Sequence, residues 1–266
     1  MKLVAGKDSL IFAEEVHFKS MRQITFGGDN AEAYWSFDDK QLVFQSNNKE
    51  WGVACDQMFL MNIDESFSEK APPMISTGKG RTTCAYFLPD NKHYVYGSTH
   101  LGAEECPPAP LRKNGRYVWP IYDSYDIFVS DLEGNIVNQL TNEKGYDAEA
   151  TVSPKGDKIV FTSTRSGDLE LYTMNIDGTD VTQITNELGY DGGAFFSPDG
   201  TQLIFRSSRP KTPEEVEKNI AEKIGIALSL PYKLQQYDYF ITASIGISVF
   251  PQKGESSTDL LKHVDT

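Results

Sequence analysis

Along most of this chain, short apolar or aromatic runs alternate with polar turns, and the same alternation returns at intervals. "GYDAEATVSPKGDKIVFTSTR" (Gly145–Arg165) and "GYDGGAFFSPDGTQLIFRSSR" (Gly189–Arg209) align without a gap at a period of 44 residues. "GDNAEAYWSFDDKQLVFQSNN" (Gly28–Asn48) aligns at an offset of 117, and "RTTCAYFLPDNKHYVYGSTH" (Arg81–His100) is a more divergent copy. The anchor positions Ser36, Leu88, Ser153 and Ser197 are spaced 52, 65 and 44 residues apart. Each copy predicts the same parts. A short apolar strand comes first, then a tight turn of the Ser-Pro-x-Gly kind, in which proline presets one φ and glycine permits another. An apolar strand follows ("KIVFTS", "QLIFRS"). A third strand alternates with period 2 and ends in an Asp/Gly turn ("LELYTMNIDG", "YDIFVSDLEG", "DQMFLMNID"). A last one reads "VTQIT", matched by "VNQLT" and "MRQIT".

Four short strands in about 44 residues is the signature of a β-propeller blade. The fold class expected is mainly β: an incomplete propeller of three full four-stranded blades and a partial fourth, with a C-terminal helix-strand-helix segment. The second copy carries an insertion, "HLGAEECPPAPLRKNGRYVWPIY", whose Pro, Gly and Cys content suits a loop off one face.

The repeats resemble the TolB-type, WD-repeat-like propeller blades of bacteria over roughly residues 20–215, carried by the paired "YD…SPDG…F.SSR" and "LYTMNIDGT" patterns. That resemblance implies a propeller of about six blades, an envelope or periplasmic setting, and non-enzymatic protein–protein binding of the kind found in the Tol–Pal system.

After Arg209 the pattern changes. "KTPEEVEKNIAEKIGIALSLP" predicts a helix: Thr212 as N-cap, Pro213 at its first position, Glu215 completing a capping box, and Val216, Ile220, Ile224 and Leu228 on one face. "FITASIGISVF" then alternates, with Ile241, Ala243, Ile245, Ile247 and Val249 on one side, and "ESSTDLLKHVDT" begins a second helix. This succession resembles the C-terminal part of a GGDEF domain, the diguanylate cyclase fold, over about residues 219–266. The resemblance brings no cyclase chemistry, because the Gly-Gly-acid-acid-Phe hairpin and the second metal-binding aspartate of that family are not found in the chain. "FGGDN" (Phe26–Asn30) belongs to a propeller repeat and lacks the second carboxylate and the phenylalanine. The expected division is therefore 1–218, propeller blades, and 219–266, a GGDEF-like piece without its catalytic half. The alternating strand at 240–250 is expected either to pair beside Leu203–Ser207 or to belong to a loose appendage. Two other readings stand beside the binding module: a cyclase-related signalling protein, and a recombined chain with no selected function as a unit.

Charge narrows the partners. With 25 basic and 38 acidic residues the net charge is −13, which argues against nucleic acid or an anionic membrane as the main partner. A protein or peptide is the expected partner, and a homodimer that completes the open propeller is a further one. No stretch approaches the length of a membrane span. Lys7, Asp8, Glu14 and Glu15 interrupt the apolar core that a signal peptide needs, so the compartment is open between the cytoplasm and, for a processed chain, the periplasm. Cys55, Cys84 and Cys106 have no metal-ligand spacing; no metal or cofactor is expected, and one disulfide stays open.

Candidate site residues follow from the repeats. Asp147, Glu149 and Asp191 stand just before or within the innermost strands, with Tyr146 and Tyr190 beside them, which places them near the mouth of a central channel. There they are expected to form a channel rim that binds a cation or a basic partner peptide. Arg165 and Arg209 recur 18 residues after Asp147 and Asp191, and structural pairing is the alternative use of both aspartates. The first copy has Asn30 and Asn48 at these two positions, a joint loss of charge that fits pairing. His17, His93, His100 and His263 are scattered and no G-x-S-x-G elbow is found. Tyr34, Trp35, Tyr86, Phe195 and Phe196 are expected to pack between blades, and Trp51 and Trp119 to be exposed.

Overall fold

The computed structural model describes residues 14, 16–18, 21, 23–63, 70–108, 120–220, 232–234 and 237–239. Four antiparallel sheets follow one another around a common centre. The first is β1 (Asp29–Trp35), β2 (Gln41–Asn47) and β3 (Gln57–Asn62). The second is β4 (Thr82–Phe87), β5 (His93–Ser98), β6 (Asp126–Asp131) and β7 (Ile136–Gln139). The third is β8 (Asp147–Val152), β9 (Lys158–Ser163), β10 (Glu170–Asn175) and β11 (Thr182–Gln183), and the last, among the described residues, holds β12 (Tyr190–Phe196) and β13 (Leu203–Ser208). A separate hairpin joins β14 (Tyr232–Leu234) and β15 (Tyr237–Tyr239). The architecture is mainly β and that of an incomplete propeller.

The turn between the first two strands of each blade explains why the copies tolerate different residues. Gly156 and Gly200 adopt φ of +70° and +72°, and Asp39 and Asn91 take +60° and +54° at the same place. Asp and Asn are the side chains that best endure this left-handed conformation after glycine. Each of the four donates its N–H back three residues, to the carbonyls of Ser153, Ser197, Ser36 and Leu88. Ser36 and Ser153 add a side-chain oxygen that accepts the N–H groups of Lys40 and Gln41, and of Asp157 and Lys158. The divergent copy has leucine there, and Asp90 Oδ1 accepts from Lys92 and His93 instead.

The blades pack face to face. Val43, Met58 and Leu60 of the first meet Ala85, Phe87, Tyr94 and Phe128 of the second, and Val95, Ile127 and Val129 of the second meet Ala150, Val152 and Phe161 of the third. Val160 and Leu171 meet Ala194 of the fourth, with Phe196 and Leu203 at the margin. The inner strands are stitched by a repeated backbone bond: Thr82, Asp147 and Asp191 donate to the carbonyls of Asp56, Tyr125 and Leu169, at 3.0, 3.0 and 2.8 Å.

Three details depart from expectation. "MRQIT" forms no strand over its described residues, because no described strand precedes it to offer an edge; Ile24 packs instead against the first blade's cluster of Leu42, Phe44, Val53, Phe59 and Met61. The outer place of the first blade is taken by a single bridge, Met74 to Phe59, flanked by bonds from Leu60 N–H to the Pro73 carbonyl and from Ile75 N–H to the Met58 carbonyl. Trp51 is half-buried rather than exposed: a 3-10 turn over Lys49–Trp51, capped by Asn48, lays its ring 5.1 Å from that of Phe59. Trp119 lies outside the described residues.

Cys55 and Cys106 form a disulfide that ties the insertion to the connection before β3 in the first blade, and Cys84 is a free, buried thiol. A helix, α1, covers residues 213–220. Glu215 N–H donates to Thr212 Oγ1 at 3.2 Å, and Glu215 Oε2 accepts from the N–H of Thr212 at 3.3 Å, the reciprocal bonds of a capping box. No helix among the described residues is long and apolar enough to cross a membrane. Of the stretch that resembles a GGDEF piece, only residues 219–220 and the β14–β15 hairpin are described. The alternating strand expected at 240–250, and its pairing beside Leu203–Ser207, fall outside the described residues.

Candidate functional site at the blade centre

Every inner strand breaks its register at the same place. The pairing slips between Ala31 and Tyr34, Thr83 and Tyr86, Ala148 and Thr151, and Gly192 and Phe195. The residue after the first of each pair turns left-handed: Glu32, Cys84, Glu149 and Gly193, with φ of +50°, +49°, +57° and +60°. This is a β-bulge repeated in four blades, and a bulge re-aims the side chain it carries. The result is two layers at the centre. One holds Glu32, Cys84, Glu149 and Gly193; the other holds Tyr34, Tyr86, Thr151 and Phe195.

The aromatic layer closes on itself. Tyr34 lies 5.4 Å from Tyr86 and 5.8 Å from Phe195 between ring centroids, and Tyr86 lies 6.4 Å from Phe195. The first and fourth blades therefore touch across the centre. All three rings are only partly buried. Tyr34 OH donates to Glu32 Oε2 at 2.5 Å; burial, and then this bond, push its ionisation far above the ordinary phenol range.

The other layer is polar and electrostatically joined. Burial pushes the Cys84 thiol well up, the carboxylates of Glu149 and Glu32 add to that, and Arg206 opposes it. Glu149 clamps the third blade to the fourth. Its Oε2 accepts from Thr162 Oγ1 at 2.8 Å, Gly193 N–H at 2.8 Å and Tyr190 OH at 3.1 Å. Gly192 makes room for this clamp: a Cβ there would stand 2.3 Å from the Tyr190 hydroxyl and 2.5 Å from Glu149 Oε2. Arg206 donates to the Tyr190 hydroxyl at 3.2 Å and holds its guanidinium 5.7 Å from the Tyr190 ring centroid. Gln45, at the matching position in the first blade, accepts the Cys84 N–H at 3.1 Å and so satisfies the second blade's bulge.

The residues picked from the repeats are in this neighbourhood but differ in availability. Asp147 meets Arg165 at 2.8 Å and Asp191 meets Arg209 at 2.5 Å, each within its own blade. Both carboxylates are buried, as are Glu149 and Tyr146; Tyr190 is partly open. Arg165 also holds Ser163 Oγ through Nε at 2.9 Å, and lies over the rings of Phe161 and Tyr172. In the second blade His100 replaces this arginine and touches Ser98 Oγ at 2.9 Å. Burial raises the Asp147 carboxyl, and hydrogen bonds from Ser163 and the charge of Arg165 oppose the rise. Asp126 faces the same pair from the second blade. Burial first, then the charge of Asp147, push it up to about 6 against a bond from Thr141 and the charge of Arg165. Glu170 faces Asp191 in the same way, raised by burial and then by Asp191 and Asp168 against a bond from Thr185. Asn30 and Asn48 do not pair: Asn30 accepts from Ser46 Oγ, and Asn48 caps the 3-10 turn.

Glu32, Cys84, Tyr34, Tyr86, Phe195 and Arg206 were not singled out as site residues from the sequence. The one local signal is Gly192-Gly193 inside an otherwise apolar strand, which a bulge or a close approach explains. Among the described residues no three His, Cys, Asp or Glu side chains gather as a metal set.

Comparison with known proteins agrees with this geometry. The family model described as "TolB beta propeller domain" matches residues 123–224. TolB from Acinetobacter baumannii is similar at 20% identity and a TM-score of 0.51, over 70% of this chain and 39% of that one, so the chain spans well under half of that protein's length. A structure described as a putative TolB from Agrobacterium tumefaciens matches at 21% identity and a TM-score of 0.37, over 70% and 72% of the two chains. A chain of a nidogen/laminin complex matches at 13% identity and a TM-score of 0.46, over 66% and 55%. Residues 123–224 match the TolB propeller family, and the fold of the described sheets is that of an incomplete propeller of the TolB type.

Proposed function

We propose that this chain is a non-enzymatic propeller module that binds a protein or peptide segment at the centre of its blades. The observation that carries the reading is the half-open aromatic trio Tyr34, Tyr86 and Phe195, bordered by the carboxylate of Glu32 and the guanidinium of Arg206. Aromatic and arginine side chains in a sheltered position are the residue types that anchor peptides. Tyr190 borders the same place; Asp147, Asp191 and Glu149 hold the inner strands in position behind it, and Arg165 and Arg209 hold the aspartates. The Ser98–His100 contact supports a binding role over a hydrolytic one. It occupies the repeat position of Ser163–Arg165, and Ser98 is wholly buried, so the pair belongs to the blade architecture.

A random peptide library selected on the immobilised chain tests this. Enriched peptides are expected to lose about 10-fold or more in affinity for Arg206→Ala and for Glu32→Ala, equivalent to about 1.4 kcal/mol each. Peptides that bind these variants as well as the parent chain would overturn the reading. An oxidising compartment, such as the periplasm, fits the Cys55–Cys106 disulfide. Thiol titration of the unfolded, unreduced chain is then expected to find one reactive cysteine, Cys84; three would refute that setting. The GGDEF-like ending we read as joined without its chemistry: incubation with GTP and Mg²⁺ is expected to yield no cyclic di-GMP.

A further inference from the structure

The three junctions between blades share one geometry. A residue of the second strand, pointing forward, is covered by an alanine and a large residue of the next inner strand. Val43 is covered by Ala85 and Phe87, Val95 by Ala150 and Val152, and Val160 by Ala194, with Phe196 beside it. The pairing register puts Ile204 at the position of Val43, Val95 and Val160, opposite Phe195 as they are opposite Tyr34, Tyr86 and Thr151. The three valines are wholly buried, and Ile204 is 72% exposed. The repeat also puts Ala33 and Trp35 at the positions of Ala85 and Phe87, Ala150 and Val152, and Ala194 and Phe196. Ala33 is exposed and Trp35 is 50% exposed. One chain thus shows both halves of a junction it makes three times internally, and shows them on different blades.

We propose that the forward face of the fourth sheet, at Ile204, docks on Ala33 and Trp35 of a second copy of this chain. The contact continues the series of blade junctions, and it is head-to-tail, because the two faces are different. Such a contact closes into a ring if the rotation permits and otherwise grows as an open chain. The contact does not rest on the peptide site: Ile204, Ala33 and Trp35 are not among that site's residues.

Light scattering on the full chain over a range of concentrations tests the proposal, with Ile204→Asp and Trp35→Asp made separately. The parent chain is expected to at least double its molar mass as concentration rises, and each variant to stay monomeric. An equimolar mixture of the two variants is expected to give a dimer and nothing larger, since each supplies the face that the other has lost. A parent chain that stays monomeric at several hundred micromolar would overturn the proposal, as would association that survives either substitution or a mixture that stays monomeric. Thermal unfolding separates docking from folding. Both positions are surface ones in a single chain, so each variant is expected to hold its melting temperature within about 2 °C. A fall of about 4 °C or more in monomeric Ile204→Asp would show that the same chain covers this face, and would also overturn the proposal.

Discussion

The third blade and the half-blade that follows it are nearly one sequence written twice, and they have opposite surroundings. Their first two strands share the turn, the bulge, the register and a buried aspartate held by an arginine 18 residues on. Yet Phe161 is wholly buried while Phe205, its counterpart, is 38% exposed. The difference lies in the neighbours. β9 has β10 on its outer edge and blades on both faces, whereas among the described residues β13 pairs with β12 alone. A blade repeat therefore encodes a hairpin, and the strand or blade beside it decides what that hairpin buries.

The largest test of this contrast is removal of the two rings. Phe161→Ala is expected to lower stability in urea unfolding by about 3–5 kcal/mol, the range for a buried phenylalanine, and Phe205→Ala by less than about 1 kcal/mol. Equal losses would mean that something covers β13 in solution.

The ion pairs come next. Asp147→Ala leaves Arg165, whose side chain is 20% exposed, without its partner, and is expected to cost about 2 kcal/mol once the arginine's access to water is allowed for. Asp191→Ala is expected to cost about half as much. Arg209 is more open, and Asp191 Oδ1 is buried with no hydrogen-bond partner, so the aspartate gives back part of its own desolvation when removed.

Gly192→Ala probes the clamp between the two blades. Its Cβ must displace the Tyr190 hydroxyl and the Glu149 carboxylate, whereas Ala148 occupies the matching place in the third blade without a clash. An expected loss of about 1–2 kcal/mol in urea unfolding follows from the overpacking.

The smallest effect is a pH dependence at the junction of the second and third blades. Asp126 shares one arginine, Arg165, with Asp147, and Thr141 and Gln139 also face it. Its folded value of about 6 lies above the usual carboxylate range, so the folded state holds a proton that the unfolded chain gives up. The stability this adds is fully present below an unfolded pKa of about 3.9 and is lost as pH rises through about 6. Asp126→Asn cannot lose that proton. Its melting temperature relative to the parent chain is therefore expected to rise by a degree or two between pH 4 and pH 7. The junction of the first and second blades has Gln57 and Thr82 at these positions, and Gln57→Leu is expected to show no such drift.

How much could be read in advance varies residue by residue. The Ser-Pro-x-Gly turns and the apolar alternation of β9 and β13 are local signals, so the blades were legible. The spacing of 18 residues between Asp147 and Arg165 marked a recurring acid and base, because a two-strand hairpin with a fixed turn sets which residues face each other. Glu32, Cys84 and Arg206 were not legible as a group. Each belongs to a different blade, and only the bulges turn them toward one centre. Trp51 read as a loop residue because the 3-10 turn that folds it against Phe59 depends on a cap and a core far apart in the chain.

The sequence by itself determined the hairpins: their turns, their register and the identity of the acid and base that recur in them. These rest on local conformational preference and on period-2 alternation, which act within a few residues. Only the tertiary structure decided which faces are covered, which carboxylates must share one arginine, and which side chains meet at the centre. Burial and electrostatic coupling depend on what stands across the gap. Two nearly identical repeats, one enclosed and one open at Ile204, make that dependence visible within a single chain.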